Sequence, residues 1–196
     1  MKNNTGAIIL AAGASQRMGT PKQQLVFENK TLLQRVVHTA LETGCSPVIV
    51  VLGAFATDIR SDLPTTGVTI VINDHWETGM AGSIHTGIQA MLRISHTVNN
   101  TFLLLCDQPF ISSTLLHEMM TTQTATGKKI IACAYNNTIG TPVLFDSSFF
   151  PQLLQLTGQE GAKKILLQHP ADVVTIPFAQ GALDIDTQDD YKKLMQ

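Results

Sequence analysis

Short β-rich runs alternate along this chain with segments whose apolar residues recur at helical spacing. That alternation is typical of a mostly parallel sheet with helices packed against both of its faces. Several of the runs are almost continuously apolar, as expected for strands that are covered on both sides. The predicted strands are residues 7–12, 48–52, 68–72, 101–106, 129–134 and 173–176.

Apolar residues three and four positions apart predict six helices between and after these strands. Gly44 is a candidate stop for the first helix, and Ser112 or Ser113 is a candidate N-cap for the third. No repeat, low-complexity stretch or linker interrupts the pattern, so residues 1–196 are predicted to form one domain. The expected fold class is α/β, a three-layer α/β/α sandwich around a mostly parallel, Rossmann-like sheet. The apolar residues that mark the first three helices lie within 32–41, 84–92 and 115–119, and three later helices are predicted at 147–156, 161–168 and 188–195.

The composition restricts the classes of function. With 13 basic residues against 15 acidic residues, there is no surplus of positive charge for a nucleic-acid backbone. Cys45, Cys106 and Cys133 are widely spaced and odd in number, which argues against a disulfide framework or a structural zinc site and fits a reducing cytoplasm. No apolar run approaches the ~20 residues of a membrane span. We therefore expect a cytoplasmic protein that binds neither nucleic acid nor membranes.

The segment Leu10-Ala-Ala-Gly-Ala-Ser-Gln-Arg-Met-Gly-Thr-Pro-Lys22 follows the first predicted strand and holds the strongest chemical signal. In an open α/β sheet, ligands bind beyond the carboxyl ends of the strands, where this loop would lie. The small residues from Ala11 to Ala14 allow backbone N–H groups to approach a triphosphate, and Arg17 and Lys22 add positive charge. The spacing matches neither the GxGxxG nor the GxxxxGKS/T pattern. A small-residue turn with two solvated basic side chains is the alternative.

The same segment resembles the signature L-A-A-G-x-S-x-R-M-G-x-P-K of the MobA-like nucleotidyltransferases, and specifically of the molybdenum cofactor cytidylyltransferases. Every fixed position of that signature is matched. The resemblance implies a fold of the nucleotide-diphospho-sugar transferase type. It also implies catalytic roles for Arg17 and Lys22, which would bind the triphosphate and neutralise the charge that develops on pyrophosphate. The residues that it assigns to nucleotide binding in this segment are Leu10, Ala11, Ala12, Gly13, Ala14, Ser15, Arg17 and Lys22.

Two internal elements extend the resemblance. Residues 105–109, Leu-Cys-Asp-Gln-Pro, resemble the family's L-x-D-Q-P element, which implies that Asp107 is a catalytic residue and a Mg²⁺ ligand. Independently, a carboxylate just past a buried strand and facing a phosphate loop is a natural ligand for Mg²⁺, although a turn-forming Asp is the alternative. Residues 79–83 resemble the family's G-M-x-x-S element, which implies nucleotide contacts for Gly79, Met80 and Ser83. As bare sequence, this second element is equally a helix start with an exposed serine.

A C-terminal element also resembles the family. Asp184-Ile-Asp-Thr187, followed by Asp190 and Tyr191, is similar to the pattern D-I-D-T-x-x-D-Y/L. In sugar-nucleotide relatives an acidic residue in a comparable place is the second metal ligand, so Asp186 is the expected ligand and Asp184 the runner-up. Thr187 could also N-cap the last helix, with the acidic side chains near its positive end, and the two interpretations are compatible.

Two segments depart from the family pattern on the acceptor side. Thr141 replaces the His of Gly-His-Pro, and Gln159 and Lys163 replace the Asp and Arg of G-D-x-G-A-R. An Arg-to-Lys change is not neutral where the planar guanidinium group of an arginine would bind a phosphate or a pterin through two hydrogen bonds. Glu160, one residue from the missing acid, and the retained charge of Lys163 could compensate. The nucleotide half of the expected site is therefore better supported than the acceptor half.

The resemblance implies that a phosphate oxygen of an acceptor attacks the α-phosphorus of CTP and that pyrophosphate leaves, with Mg²⁺ as cofactor. The expected acceptor is molybdenum cofactor in its molybdopterin phosphate form, with transient contact to a molybdoenzyme or its chaperone. CTP is expected over GTP because cytidylyl members have L-A-A-G where guanylyl members have L-A-G-G, and position 12 is Ala here. The alternatives are a cytidylyltransferase for another small phosphorylated alcohol or sugar, and a nucleotide-binding molybdoenzyme accessory protein with little catalysis.

Overall fold

The computed structural model describes residues 4–196, so residues 1–3 of the predicted domain lie outside the described part. Seven strands of this part form one sheet, and two short ones form a separate hairpin. The strands are β1 (Thr5–Ala11), β2 (Val26–Phe27), β3 (Lys30–Thr31), β4 (Val48–Leu52), β5 (Val68–Ile72), β6 (Asn100–Leu105), β7 (Ile130–Tyr135), β8 (Thr138–Asp146) and β9 (Val173–Pro177).

The α-helices alternate with the strands along the chain, and 3-10 turns join several of them. α3 is the longest, and it begins directly after Gly79, the glycine that follows a 3-10 turn. The helices are α1 (Leu32–Glu42), α2 (Ala56–Arg60), α3 (Met80–Ile94), α4 (Ser113–Thr126), α5 (Phe150–Leu153), α6 (Ala162–Gln168) and α7 (Gln188–Leu194).

The large sheet has the strand order β5-β4-β1-β6-β8-β7-β9. β8 is antiparallel to both of its neighbours, and the other neighbouring pairs are parallel. Because β5, β4, β1 and β6 all run in the same direction, the loops that follow them meet at one edge of the sheet. The mostly parallel α/β sheet expected from the sequence is confirmed.

Helices cover both faces of this sheet. Successive side chains of a strand point to opposite faces, so Ile9 of β1 packs in one apolar cluster and Ile8 in the other. α1 and α4 contribute to the first cluster, whereas α3, α5 and α6 contribute to the second. β1 is buried along its whole length, which explains its nearly continuous apolar sequence. The architecture is the expected three-layer α/β/α sandwich.

The sequence pattern predicts every strand of the large sheet except β8. The first half of β8 is polar, and it contains Pro142, which cannot donate to a strand ladder. The pairing of β7 with β8 shifts register between Ala132 and Cys133, so the proline lies at an irregularity that tolerates it. Asn136 and Asn137, with φ of 46° and 57°, form the two-residue turn that reverses the chain into β8.

Five of the six predicted helices correspond to α1, α3, α4, α6 and α7, and Ser112 is the N-cap of α4. The helix predicted at 147–156 is wrong in its length. A 3-10 turn at Ser147–Phe149 precedes a four-residue α5, in which Pro151 occupies the first turn. A proline lacks the N–H that the interior of an α-helix needs, so α5 begins only at this point. The short α2 has too few residues to show a helical period.

We predict that Leu104→Ala lowers the free energy of unfolding by about 2–5 kcal/mol, because Leu104 of β6 is fully buried beneath the α1 and α4 layer. Leu167→Ala on α6 is the matched control, since that residue is 64% exposed. The control should change stability by less than about 0.5 kcal/mol. Urea unfolding of both variants measures the difference, and equal effects would contradict the layer assignment.

Candidate functional site

A cavity of about 660 Å³ opens at the carboxyl edge of the sheet. The loop after β1, the segment before α3, the end of β6 and the C-terminal segment line it. The structure thus brings together residues from both ends of the chain. The sequence-predicted residues that line this cavity are Leu10, Ala11, Ala12, Gly13, Ala14, Ser15, Arg17, Lys22, Gly79, Met80, Ser83, Asp107 and Asp186. Asp184, the runner-up for the second metal ligand, is not among its lining residues.

Gln23 holds the loop after β1 from the inside, and sequence reasoning missed it. Its side chain is almost fully buried, and its Nε2 donates to the carbonyls of Ala11 and Gly13, both at 2.9 Å. Its Oε1 accepts from the hydroxyl of Ser15 at 3.3 Å. The oxygen of that hydroxyl, Ser15 Oγ, in turn accepts from the backbone N–H of Lys22 at 3.0 Å. One buried amide therefore joins both ends of the loop. In the sequence, the only indication of a role for Gln23 is its position directly after Lys22.

An ionic cluster lies at the charged end of the cavity. Lys22 Nζ is 2.5 Å from Asp107 Oδ2 and 2.9 Å from Asp186 Oδ1. Arg17 completes the cluster with a contact of 2.7 Å to the second oxygen of Asp186. Lys22 and Asp107 are largely buried, whereas Arg17 is mostly exposed. The ammonium group of Lys22 thus lies between the two carboxylates that the family resemblance implies as metal ligands.

The two candidates for the second metal ligand, Asp186 and Asp184, differ in their pKa. Burial would raise the pKa of Asp186, but its contacts with Lys22 and Arg17 hold it below its usual range. Burial raises the pKa of Asp184 to about 6, with further contributions from the charges of Asp107 and Asp186. Burial lowers the pKa of Lys22, but the charge and hydrogen bond of Asp107 raise it above its usual value overall. Asp186 is therefore better suited than Asp184 to act as an ionised ligand.

The carboxylate of Asp107 fits a hard cation. Its Oδ1 is buried and has no hydrogen-bond partner, whereas Oδ2 accepts from Lys22. A buried carboxylate oxygen without a partner is costly unless a cation or a donor faces it. Among residues 4–196, no group of three or more His, Cys, Asp or Glu side chains could hold a metal ion. The described residues thus offer two carboxylates, and Mg²⁺ bound in this way takes its other ligands from phosphates and water.

The segment before α3 approaches the cavity closely through glycine. Gly79 has a φ of 123°, and a Cβ at this position would lie 2.2 Å from the carbonyl oxygen of Gly158. The same carbonyl accepts from the backbone N–H of Ala81 at 3.1 Å. A side chain at position 79 would therefore be strained and would push the two loops apart. Trp76, which also lines the cavity, packs against the backbone of Gly53.

The residues that depart from the family pattern lie mostly outside the main cavity. Gln159 lines it, but Lys163 donates to Thr138 Oγ1 at 2.6 Å and lines a separate cavity beside α6. Glu160 accepts from Lys164 at 2.6 Å and from the backbone N–H of Thr157. The compensation expected from Glu160 and Lys163 therefore finds no support in these contacts. Gln159 is the departing residue that an acceptor in the main cavity would meet.

The chain is thus an α/β protein with a small-residue loop, two basic side chains and two carboxylates at one sheet edge. A family model, the MobA-like NTP transferase domain, matches residues 7–173. The chain therefore belongs to the MobA-like NTP transferase family and is a nucleotidyltransferase of that family. Among residues 4–196, no helix combines the length and the apolar character needed to cross a membrane.

Individual relatives are similar over nearly the whole chain. The nicotine blue oxidoreductase of Paenarthrobacter nicotinovorans is 29% identical, over 96% of this chain and 95% of its own. The molybdenum cofactor cytidylyltransferase of Escherichia coli K12 is 27% identical, over 94% of this chain and 92% of its own. A Mycobacterium tuberculosis H37Rv protein, crystallised in complex with manganese, is 27% identical with a TM-score of 0.77, over 97% of both chains.

We predict that Gln23→Leu weakens nucleoside triphosphate binding by roughly 5- to 150-fold. Loss of the buried hydrogen bonds releases the loop, which must then be ordered again when the nucleotide binds. We take the cost as about 1–3 kcal/mol, and 1.4 kcal/mol corresponds to tenfold in affinity. Gln24→Leu is the matched control, because Gln24 is the neighbouring residue and contacts Asp62 away from the cavity. Isothermal titration calorimetry with CTP measures the affinity of both variants for the nucleotide. Equal affinities for the two variants would show that Gln23 does not position the loop.

We predict that Lys22→Met increases the affinity for Mn²⁺ in the absence of nucleotide and weakens nucleotide binding. Without the ammonium group, the carboxylates of Asp107 and Asp186 lose the cation that they share. Lys164→Met is the control, since Lys164 pairs with Glu160 outside the cavity. Electron paramagnetic resonance of free and bound Mn²⁺ gives the affinity. Unchanged or weaker Mn²⁺ binding in Lys22→Met would contradict the view that Lys22 occupies the cation position.

Proposed function

We propose that this protein transfers CMP from CTP to the phosphate group of a molybdopterin-type acceptor and releases pyrophosphate. The observation that supports this most is the ionic cluster, in which Lys22 bridges Asp107 and Asp186 beside the small-residue loop. Such an arrangement suits phosphoryl-type transfer, in which the protein supplies alignment and charge neutralisation rather than covalent chemistry.

The loop after β1 would bind the triphosphate. Residues 11–14 have small or absent side chains, so backbone N–H groups can face phosphate oxygens, and Gln23 holds this loop in place. Lys22 would exchange its carboxylate partners for phosphate oxygens, and Arg17 would add a second cation from the exposed side. Both charges would stabilise the pyrophosphate as it leaves.

Asp107 and Asp186 would hold the divalent cation. When bound, Mg²⁺ would neutralise charge on the phosphates and help to align them. The unpartnered Oδ1 of Asp107 and the depressed pKa of Asp186 suit this role. Manganese in the related Mycobacterium tuberculosis structure supports a divalent cation as cofactor.

The chemical step would be a direct displacement. An oxygen of the acceptor phosphate forms a bond to the α-phosphorus of CTP, and the bond from that phosphorus to the bridging oxygen of the β-phosphate breaks. The electron pair of that bond leaves with pyrophosphate. A phosphate monoester has its second pKa at about 6, so its oxygen is already ionised at neutral pH. The reaction therefore needs no general base from the protein.

Cytidine is the proposed nucleoside because of Ala12. This residue is buried and lines the cavity, and its methyl group takes space that a glycine would leave free. A smaller pyrimidine tolerates the narrower space better than a purine does. The similarity to the Escherichia coli cytidylyltransferase over nearly the whole chain agrees with this preference.

The acceptor side of the cavity differs from the family pattern. Gln159 lines the cavity where the family has an acidic residue, and Lys163 points to Thr138 instead. A phosphorylated sugar or alcohol is therefore the alternative acceptor, and a nucleotide-binding accessory role is the alternative without catalysis. The similarity to the nicotine blue oxidoreductase of Paenarthrobacter nicotinovorans suggests an oxidation–reduction reaction as a further alternative. We favour transfer because a basic side chain between two carboxylates suits phosphates and a hard cation.

A screen of triphosphates and acceptors, in which pyrophosphate release is the measured signal, tests this function. The screen combines CTP, GTP, ATP and UTP with molybdenum-loaded molybdopterin, metal-free molybdopterin and a panel of phosphorylated sugars and polyols, all with Mg²⁺. We expect release with CTP and the molybdenum-loaded pterin. Release with a phosphorylated sugar alone would assign a different acceptor. Binding of CTP without release from any acceptor would favour the accessory role, and a preference for GTP would refute the argument from Ala12.

We predict that Asp107→Asn and Asp186→Asn each reduce the rate of pyrophosphate release by at least ~100-fold at saturating Mg²⁺, because each removes one negative charge at the cation position. Asp184→Asn is the internal control and should reduce it by less than ~10-fold, because Asp184 does not line the cavity. Circular dichroism confirms that each variant folds. A larger loss in Asp184→Asn than in Asp186→Asn would make Asp184 the second ligand.

A further inference from the structure

Asn73 lies directly after β5 and has a fixed side-chain orientation. It is 5% exposed, and its Oδ1 accepts from the backbone N–H of His75 at 3.1 Å. Because a backbone N–H can only donate, the amide oxygen must face His75 and the amide nitrogen must face the other way. That nitrogen, Nδ2, donates to Ser83 Oγ at 3.1 Å. A Cβ placed on Gly82 would lie 3.3 Å from the same nitrogen, so helix α3 encloses the amide closely.

This orientation determines what the hydroxyl of Ser83 can do. A serine hydroxyl has one proton to donate and two lone pairs to accept with. Asn73 donates to one lone pair and offers Ser83 no acceptor, since its oxygen is bound to His75. Among residues 4–196, no hydrogen bond in the structure uses the proton of Ser83. Ser83 lines the main cavity, so its proton is available to a ligand there.

Ser83 lies at the uncharged end of the cavity. The strand order places β5, which Asn73 follows, three strands away from β6, which Asp107 follows. Three strand spacings amount to ~14 Å, which is comparable to the distance from a base to the terminal phosphate of a nucleotide. Arg17, Lys22 and Asp107 all lie toward β6 and the C-terminal segment. With the phosphates at the charged end, the base extends toward Ser83 and Trp76.

We propose that Asn73 is a positioning residue that makes Ser83 a hydrogen-bond donor to the base and thereby selects for cytosine. This inference rests on the proposed binding of CTP. On its pairing edge cytosine presents two acceptors, O2 and N3, beside the donor N4–H₂, whereas guanine presents two donors, N1–H and N2–H₂, beside the single acceptor O6. A hydroxyl that is limited to donating therefore has two partners on the edge of cytosine, and on the edge of guanine it has one partner and faces two donors. The chain of donation therefore runs from the His75 N–H through Asn73 and Ser83 into the cavity.

The substitution Asn73→Asp reverses this chain with little change in shape. One carboxylate oxygen still accepts from His75, but the other now accepts the proton of Ser83, which leaves lone pairs facing the cavity. The affinities for CTP and GTP are measured by isothermal titration calorimetry with Mg²⁺ at pH 8, well above the ordinary pKa of an aspartate. The quantity of interest is the ratio of the two affinities, because added negative charge repels both triphosphates alike. We expect the preference for CTP to fall at least tenfold.

Two controls separate this effect from charge and from folding. Asn137→Asp adds the same charge in the exposed β7–β8 turn, and it should leave the ratio unchanged. In a Ser83→Ala background, Asn73→Asp should cause no further change in the ratio, because its action passes through the hydroxyl. Ser83→Ala alone should lower the preference for CTP, and it tests the inference even if Asn73→Asp fails to fold.

Each outcome of these titrations has a definite meaning. A ratio within twofold of the unmodified protein in Asn73→Asp or in Ser83→Ala would overturn the inference, as would an equal effect of Asn73→Asp with and without Ser83. In these cases the proposed function stands if CTP still binds and pyrophosphate is released. If the unmodified protein binds neither CTP nor GTP, both the inference and the proposed function fail.

Discussion

The contact of the Lys22 ammonium group with two carboxylates organises this molecule. It joins the loop after β1 to Asp107 at the end of β6 and to Asp186, close to the C-terminus. The backbone N–H of Ile185 also donates to the carbonyl of Asp107 at 3.0 Å, so the C-terminal segment is bound to the sheet edge beside the ion pairs. Segments distant in sequence thus form one site. The cost of burying these charges is offset because each charge has a partner of opposite sign.

The cavity has two chemically different ends, which lie over different strands at the same edge of the sheet. The charged end lies over the β1 loop and β6, where Lys22 and the carboxylates meet. The other end lies toward β5, where Trp76 and Ser83 offer an aromatic surface and a hydroxyl group. A nucleoside triphosphate has the same division, with charge at one end and a planar base at the other. The parallel strand order therefore places a charged end and an aromatic end in one cavity.

The sequence predicts those parts of this architecture that repeat or alternate. Alternating apolar runs predict the parallel strands, and the signature around Arg17 predicts the loop that lines the cavity. β8 escapes prediction because its pairing depends on a register shift near Pro142 that a local pattern does not encode. Gln23 and Asn73 escape for a related reason. Both are polar residues whose burial follows from the tertiary contacts of loops, and their roles become visible through hydrogen-bond partners.

A crystal structure of the protein with Mn²⁺ and a non-hydrolysable CTP analogue tests the central claim most directly. The anomalous signal of Mn²⁺ locates the cation independently of any model of the ligand. We expect one Mn²⁺ that contacts carboxylate oxygens of Asp107 and Asp186 and is also coordinated by phosphate oxygens. We expect Lys22 Nζ to have moved from the carboxylates to the phosphates. Mn²⁺ bound elsewhere, or Lys22 still bridging the two carboxylates with the nucleotide present, would contradict this claim.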